Sequence, residues 1–174
     1  MLKDIEIARR LGADGVVFGC LTADGEVDLT SMQILMEASK GLSVTFHRAF
    51  DVCRNPQKAL EEIIELGCNR ILTSGQQPTA EQGIGLLKEL QGLAAGRITL
   101  LAGCGVNENN IARIAAETGI NELHFSARES IQSEMKFRNE VVSMGGTVHI
   151  NEYERNVTSV RRVKETVEAL YKGM

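Results

Sequence analysis

Short apolar runs alternate with amphipathic stretches along most of the chain. The strand candidates are Gly15–Gly19, Ser43–His47, Arg70–Ser74, Ile98–Ala102 and Glu122–Ser126. Their starts, at positions 15, 43, 70, 98 and 122, fall at a nearly constant period. Between them, apolar residues recur at helical spacing over Leu29–Ser39, Pro56–Leu66, Ala80–Leu90 and Glu108–Thr118. Local signals mark the helix starts. Asn55 stands as an N-cap before Pro56, the residue favoured in a first helical turn. Thr79-Ala80-Glu81-Gln82 reads as a capping box, and Asn107 is placed to cap the next helix. Gly41, Gly67 and Gly119 follow three of these helices, and Leu11-Gly12 closes one that begins with the chain.

Regular βα units with short connections predict a parallel sheet covered by helices. Two architectures fit that description: an open doubly wound sheet and a (β/α)8 barrel. Polar groups recur at the carboxyl ends of several strands, which suits the barrel, where active sites gather at that face. Five strands fall short of the eight that closure needs. The pattern therefore predicts an incomplete (β/α)8 barrel, with the open sheet as its rival.

Two of the strands carry chemistry. In Ser43-Val44-Thr45-Phe46-His47-Arg48-Ala49-Phe50-Asp51, ionisable groups stand at a strand end where packing alone asks for apolar ones. In Glu122-Leu123-His124-Phe125-Ser126-Ala127, alternation puts Glu122, His124 and Ser126 on one face. His47, Arg48, Asp51 and His124 are the catalytic candidates. Arg48 and Asp51 also read as a structural ion pair, which needs no chemistry to explain it. The Gly103-Cys104-Gly105-Val106 turn lies between a strand and a helix, where glycines admit close backbone approach and unpaired N–H groups face an anion. Thr73, Ser74 and Gly75 on one neighbouring loop, and Ser126 on another, complete the anion-binding candidates. His47, His124, Ser74 and the Gly103–Val106 turn are expected to converge at the carboxyl face.

Composition narrows the field. The 174 residues carry a formal charge of −4 with a pI near 5.5, which speaks against a general nucleic-acid binder. Arg161-Arg162-Val163-Lys164 is the one basic cluster and reads as the solvated face of a helix. No apolar run reaches the length of a membrane span, and Met1–Glu6 has acidic residues where a signal peptide needs apolar ones. Cys20, Cys53, Cys68 and Cys104 are spread without a CxxC pair, so reduced thiols in the cytoplasm fit best. Met32 and Met36 fall at helical spacing and read as core residues, and Met144 does not join them in a copper-binding run. His149 is expected at the surface.

Thr45-Phe46-His47-Arg48-Ala49-Phe50-Asp51 resembles the signature of the CutC family, named for copper homeostasis. Leu72-Thr73-Ser74-Gly75, Gly103-Cys104-Gly105-Val106 and Glu122-Leu123-His124 with Ser126-Ala127 resemble it too. Asp24-Gly25-Glu26-Val27-Asp28 is similar to that family's acidic turn after its fourth strand, and Met135-Lys136-Phe137-Arg138-Asn139 to a basic segment beyond its last. The resemblance runs in order along essentially the whole chain. It implies a single CutC-like domain over residues 1–174 on a TIM barrel, with the visible strands as the fourth to eighth. The first three strands would then be missing, with part of the family's polar pocket and cysteines proposed there to bind Cu(I). Such a sheet has unpaired edges at the Val16–Phe18 and Glu122–Ser126 strands, and the chain is expected to self-associate and to be less stable than a longer version.

The function implied is copper handling in the cytoplasm. Cys20 and Cys104, at or beyond the ends of different strands, are the candidate Cu(I) ligands, because soft thiolates select that ion. The alternative is an enzyme acting on a small anionic or phosphorylated substrate. His47 would then be its general acid or base, Arg48 its anion clamp and the Gly103–Val106 turn its phosphate cradle. An inactive remnant is the third reading. The partners expected are a copper ion or small anion and further copies of the chain, with neither nucleic acid nor membrane.

Overall fold

The computed structural model describes residues 1–139, 141–148 and 150–172; His149 lies outside them. Five parallel strands form the main sheet: β1 (Gly15–Phe18), β2 (Ser43–Phe46), β3 (Arg70–Thr73), β4 (Thr99–Gly103) and β5 (Glu122–His124). They are hydrogen-bonded in chain order, so β1 and β5 are the sheet edges. Helices α1 (Leu2–Arg10), α2 (Leu29–Ala38), α3 (Pro56–Glu65), α4 (Ile84–Ala94) and α5 (Ile111–Thr118) alternate with them. The expected parallel neighbours are present, and the sheet is open.

Alternation along each strand decides which face is covered. Val44, Phe46, Ile71 and Leu100 point toward the helices and are at most 1% exposed, whereas Val17 on the other face is 62% exposed. The helices answer with Leu35, Leu60, Ile63, Leu87, Leu90, Ile111 and Ile114, all in one apolar cluster. The second face of the sheet carries no such layer. A polar bridge crosses it: Arg70 on β3 holds Glu122 on β5 with two bonds of 2.6 and 3.1 Å and reaches Ser43 Oγ at 3.2 Å.

Caps explain where the first helices start. The Asp28 carboxylate accepts from Ser31 N at 3.0 Å to open α2, and Asn55 Oδ1 accepts from Lys58 N at 2.9 Å ahead of Pro56. The next two helices start later than the sequence suggests. The Thr79 hydroxyl does accept from Gln82 N at 3.3 Å, yet this closes an isolated turn and α4 begins only at Ile84. The reason is a backbone-on-backbone contact, since a Cβ on Gly83 would sit 1.9 Å from the Ser74 carbonyl oxygen. α4 also runs on to Ala94, ending in left-handed Ala95 and Gly96. Before α5, Asn107 Oδ1 accepts from Asn109 N at 2.9 Å and Asn110 Oδ1 from Asn107 N at 2.9 Å. This asparagine turn uses the Asn107 side chain and delays the helix to Ile111.

Beyond β5 the chain forms elements that the strand pattern missed. β6 (Arg128–Gln132) and β7 (Glu154–Thr158) pair antiparallel as a hairpin outside the main sheet. β6 alternates between exposed and half-buried positions, β7 has two adjacent exposed ones, and neither carries an apolar stripe to betray it. Helix α6 (Val160–Lys172) packs beside α5.

One-sided burial sets unequal costs for truncation. Phe46→Ala should lose about 3–5 kcal/mol of stability in denaturant unfolding, the usual range for a buried aromatic. Val17→Ala, on the uncovered face of the same sheet, should stay within about 0.5 kcal/mol. Equal losses would mean that both faces are packed.

Candidate functional site

A cavity of about 540 Å³ opens at the carboxyl ends of the strands. Arg48 enters it from the end of β2, Leu72 from β3, Cys104 to Asn107 from the turn after β4, and His124 to Ala127 from the end of β5. Arg128 and Arg162 close the remaining side, from β6 and α6. Among the sequence candidates, Arg48, Cys104, Gly105, Val106, His124 and Ser126 thus share one cavity. Gly103 lies just beneath it, where a Cβ would stand 2.7 Å from Leu72 Cδ1 and 3.3 Å from His124 Cβ.

The other candidates stand outside that wall. His47 extends β2 and caps the short 3-10 turn Arg48–Val52, its Nδ1 accepting from Ala49 N at 3.2 Å. Asp51 is the acceptor of a dense network. Its carboxylate takes Arg48 Nε at 2.7 Å, Thr73 Oγ1 at 2.5 Å, Ser74 N at 3.0 Å, Ser74 Oγ at 3.0 Å and Gln76 N at 3.1 Å. Thr73 and Ser74 are fully buried within it, and Gly75 N donates back to Thr73 Oγ1 at 2.9 Å. These hydroxyls and amides are therefore spent inside the protein, as is the carboxylate. The Arg48–Asp51 pair is the structural one, and it aims Arg48. The Asp51 carboxylate also holds the Arg48 guanidinium above its ordinary value, with the Cys104 sulfur adding to the effect.

The three arginines differ in how much charge they leave free. Arg48 gives Nε to Asp51 and Nη2 to Ser74 Oγ at 2.9 Å. Arg162 grips Glu108 with two bonds of 3.0 Å and donates to the Arg128 carbonyl. That contact keeps the Glu108 carboxyl below its usual range. Arg128 has no side-chain partner among the described residues, so one full positive charge is left to the cavity. Arg162 is thus more than the solvated helix face that its sequence suggests. Arg128 had a signal: the i, i+2 series Glu122, His124, Ser126 continues to it.

The turn after β4 is held in an unusual backbone. Cys104, at φ 81, and Gly105, at φ 73, are both in the left-handed region, which costs a side-chain-bearing residue. The Cys104 carbonyl compensates by accepting from Ala80 N at 2.9 Å, and its Sγ donates to the Pro78 carbonyl at 3.1 Å. This stitches the turn to the loop between β3 and α4.

The cysteines do not assemble into one centre. Cys104 is in the cavity wall and Cys20 is not, and Cys20 carries a thiol raised by burial and by Asp28. Among the described residues no group of three or more His, Cys, Asp and Glu side chains is arranged to hold a metal ion. All four thiols are free. Nor is any described helix long and apolar enough to cross a membrane.

A family model described as CutC family matches residues 1–129. The chain belongs to the CutC family. Similar relatives include the family protein CutC of Bacteroides thetaiotaomicron, 77% identical over 98% of this chain and 68% of its own length. That of Porphyromonas gingivalis is 48% identical over the same shares. A solved structure of a proposed copper homeostasis protein, CutC from Streptococcus agalactiae, superposes with TM-score 0.68 at 33% identity. It matches 71% of this chain, and the chain spans only 60% of its length. A structure described as native KDPGal matches 99% of this chain and 66% of its own at TM-score 0.59 and 13% identity, a likeness of fold alone. The matched family region ends at Glu129, just inside the hairpin, so it includes Arg128 and leaves out Arg162.

Burial pushes the Cys53 and Cys68 thiols from 9.0 up to about 11. A raised pKa in the folded state means that the neutral thiol is favoured by folding. The stability this gives is complete below the unfolded value and is lost as pH climbs through the folded one. The urea midpoint should therefore fall between about pH 9 and pH 11, a loss that Cys53→Ser and Cys68→Ser should each reduce. An unchanged pH profile in both variants would dismiss the burial effect.

Proposed function

We propose that this chain serves the copper homeostasis for which its family is named, and that its own binding surface is the arginine-lined cavity, fitted to a small anion. Family membership supports the first part. The second rests on one observation: Arg128 stands uncompensated beside Arg48 and Arg162 at the carboxyl face. That charge is matched by the hydroxyl of Ser126, the imidazole of His124 and the Gly103–Val106 turn. The five βα units are read as part of a (β/α)8 barrel, in which this face carries the chemistry.

Copper as cargo meets limited soft chemistry here. Cys104 offers one sulfur to the cavity and Cys20 stands apart, so each would supply a single thiolate. We propose a cytoplasmic location, which the free thiols support, and a homo-oligomer, which the two open strand edges and the uncovered sheet face support. Residues 1–174 are read as one domain.

In the enzymatic reading, Arg48 and Arg128 clamp the anion and His124, in the same wall, serves proton transfer. His47 borders the same end of the sheet, with Nδ1 already engaged. Two measurements separate the parts. Anaerobic titration should show uptake of Cu(I) by the intact chain, and no uptake would remove the copper part. Inorganic phosphate, followed by calorimetry, should bind in the cavity and weaken with added salt. Arg128→Ala should reduce that affinity about tenfold, as losing one charge-assisted contact does. Phosphate binding that is indifferent to Arg128→Ala would remove the anion part.

A further inference from the structure

Two stretches of loop backbone line the anion cavity, the turn after β4 and the segment between β5 and β6. Cys104, at φ 81, and Gly105, at φ 73, stand in the first, and Ala127, at φ 46, in the second. Among the described residues four non-glycines take the left-handed conformation, and two of them, Cys104 and Ala127, line this one cavity. Turns of this kind present successive N–H groups to an anion. Here those groups are unspent. The amides of Gly105, Val106 and Ala127 donate to no backbone carbonyl among the described residues, although Val106 and Ala127 are each only 6% exposed. Buried amides ordinarily have a partner.

We infer that the ligand is a phosphate monoester with a small uncharged carbon body, its phosphate held between the two loops and its body lying over Leu72 beside His124. This rests on the anion reading above and narrows it in both head and body.

The donors choose the head. A carboxylate offers two oxygens in one plane, whereas a phosphate offers three acceptor oxygens spread around one atom. Amides from two separate loops, joined by the Ser126 hydroxyl and the Arg128 guanidinium, match the second shape. Volume and charge choose the body. At about 540 Å³ the cavity has the size of a small-molecule site, and inorganic phosphate fills the room of only a few waters, at about 30 Å³ each. The lining holds no carboxylate, so a cationic body has no partner. Arg48 and Arg162 are already matched by Asp51 and Glu108, so a second anionic group has none either. Leu72, half-buried on β3, and His124, exposed on β5, flank Gly103 and leave an apolar surface next to an imidazole.

Calorimetry on the intact chain at fixed ionic strength tests this with three probes: inorganic phosphate, phenyl phosphate and benzoate. Phenyl phosphate should bind at least about tenfold more tightly than inorganic phosphate, because its ring leaves water on Leu72. Benzoate has the same ring with fewer oxygens for the donors, and should bind about tenfold more weakly than phenyl phosphate. Leu72→Ala should bring phenyl phosphate down to the affinity of inorganic phosphate, whose own unchanged binding reports an intact fold. Arg128→Ala should weaken both phosphates alike. Benzoate as tight as phenyl phosphate overturns the head, and phenyl phosphate no tighter than inorganic phosphate overturns the body. In either case inorganic phosphate still binds and the anion reading stands. The ranking on the wild type decides the class whether or not the Leu72 variant folds. Failure of all three probes to bind the wild type sinks this inference and the anion reading together.

Discussion

The carboxyl face depends on a single carboxylate. Asp51 sits in the 3-10 turn that follows β2 and accepts hydrogen bonds from Arg48 of the same turn and from Thr73, Ser74 and Gln76 at the end of β3 and beyond. Two neighbouring strands are thereby tied at the end where no further ladder bonds exist. The loop after β3, once fixed, receives the Cys104 turn through Ala80 N and Pro78 O. Each strand end is positioned by the one before it. A buried carboxylate is tolerable only with its lone pairs filled, and here the filling is what builds the site.

The same economy decides which positive charge is available. A cavity with three guanidiniums side by side would repel itself, and the structure spends two of them internally. Arg48 is aimed by Asp51 and Arg162 by Glu108, which leaves Arg128 as the net charge.

Much of this was legible in the sequence because periodicity and burial agree. The five strands, their order and their common direction follow from runs such as Ser43–His47, whose alternate residues Val44 and Phe46 the helices cover. Residue types also marked the cavity: Arg48, Cys104, His124 and Ser126 all reach it. Other features were hidden for identifiable reasons. Asp51 and Ser74 are polar for the sake of their neighbours, and only coordinates show that their hydrogen bonds point inward. Thr79–Gln82 has the chemistry of a helix start, and the close approach of Gly83 to the Ser74 carbonyl diverts it into a turn. The β6–β7 hairpin has no apolar face to read, and Arg162 reaches the cavity only because α6 returns against α5. Cys68 Sγ and Met36 Sδ meet at 3.7 Å through tertiary packing, which no local pattern encodes.

The Arg70–Glu122 bridge has a mechanical consequence. Its partners sit on β3 and β5, so the link vaults over β4, whose Thr99 and Leu101 are the ladder partners of those two residues. Backbone hydrogen bonds join strands only pairwise, and each pair can in principle slip along its own length. A tie that skips a strand removes this freedom from three strands at once. Under shear, β3, β4 and β5 are bound to move as a single slab, and deformation of the sheet is directed to the β1–β2 side, where no comparable strap exists among the described residues.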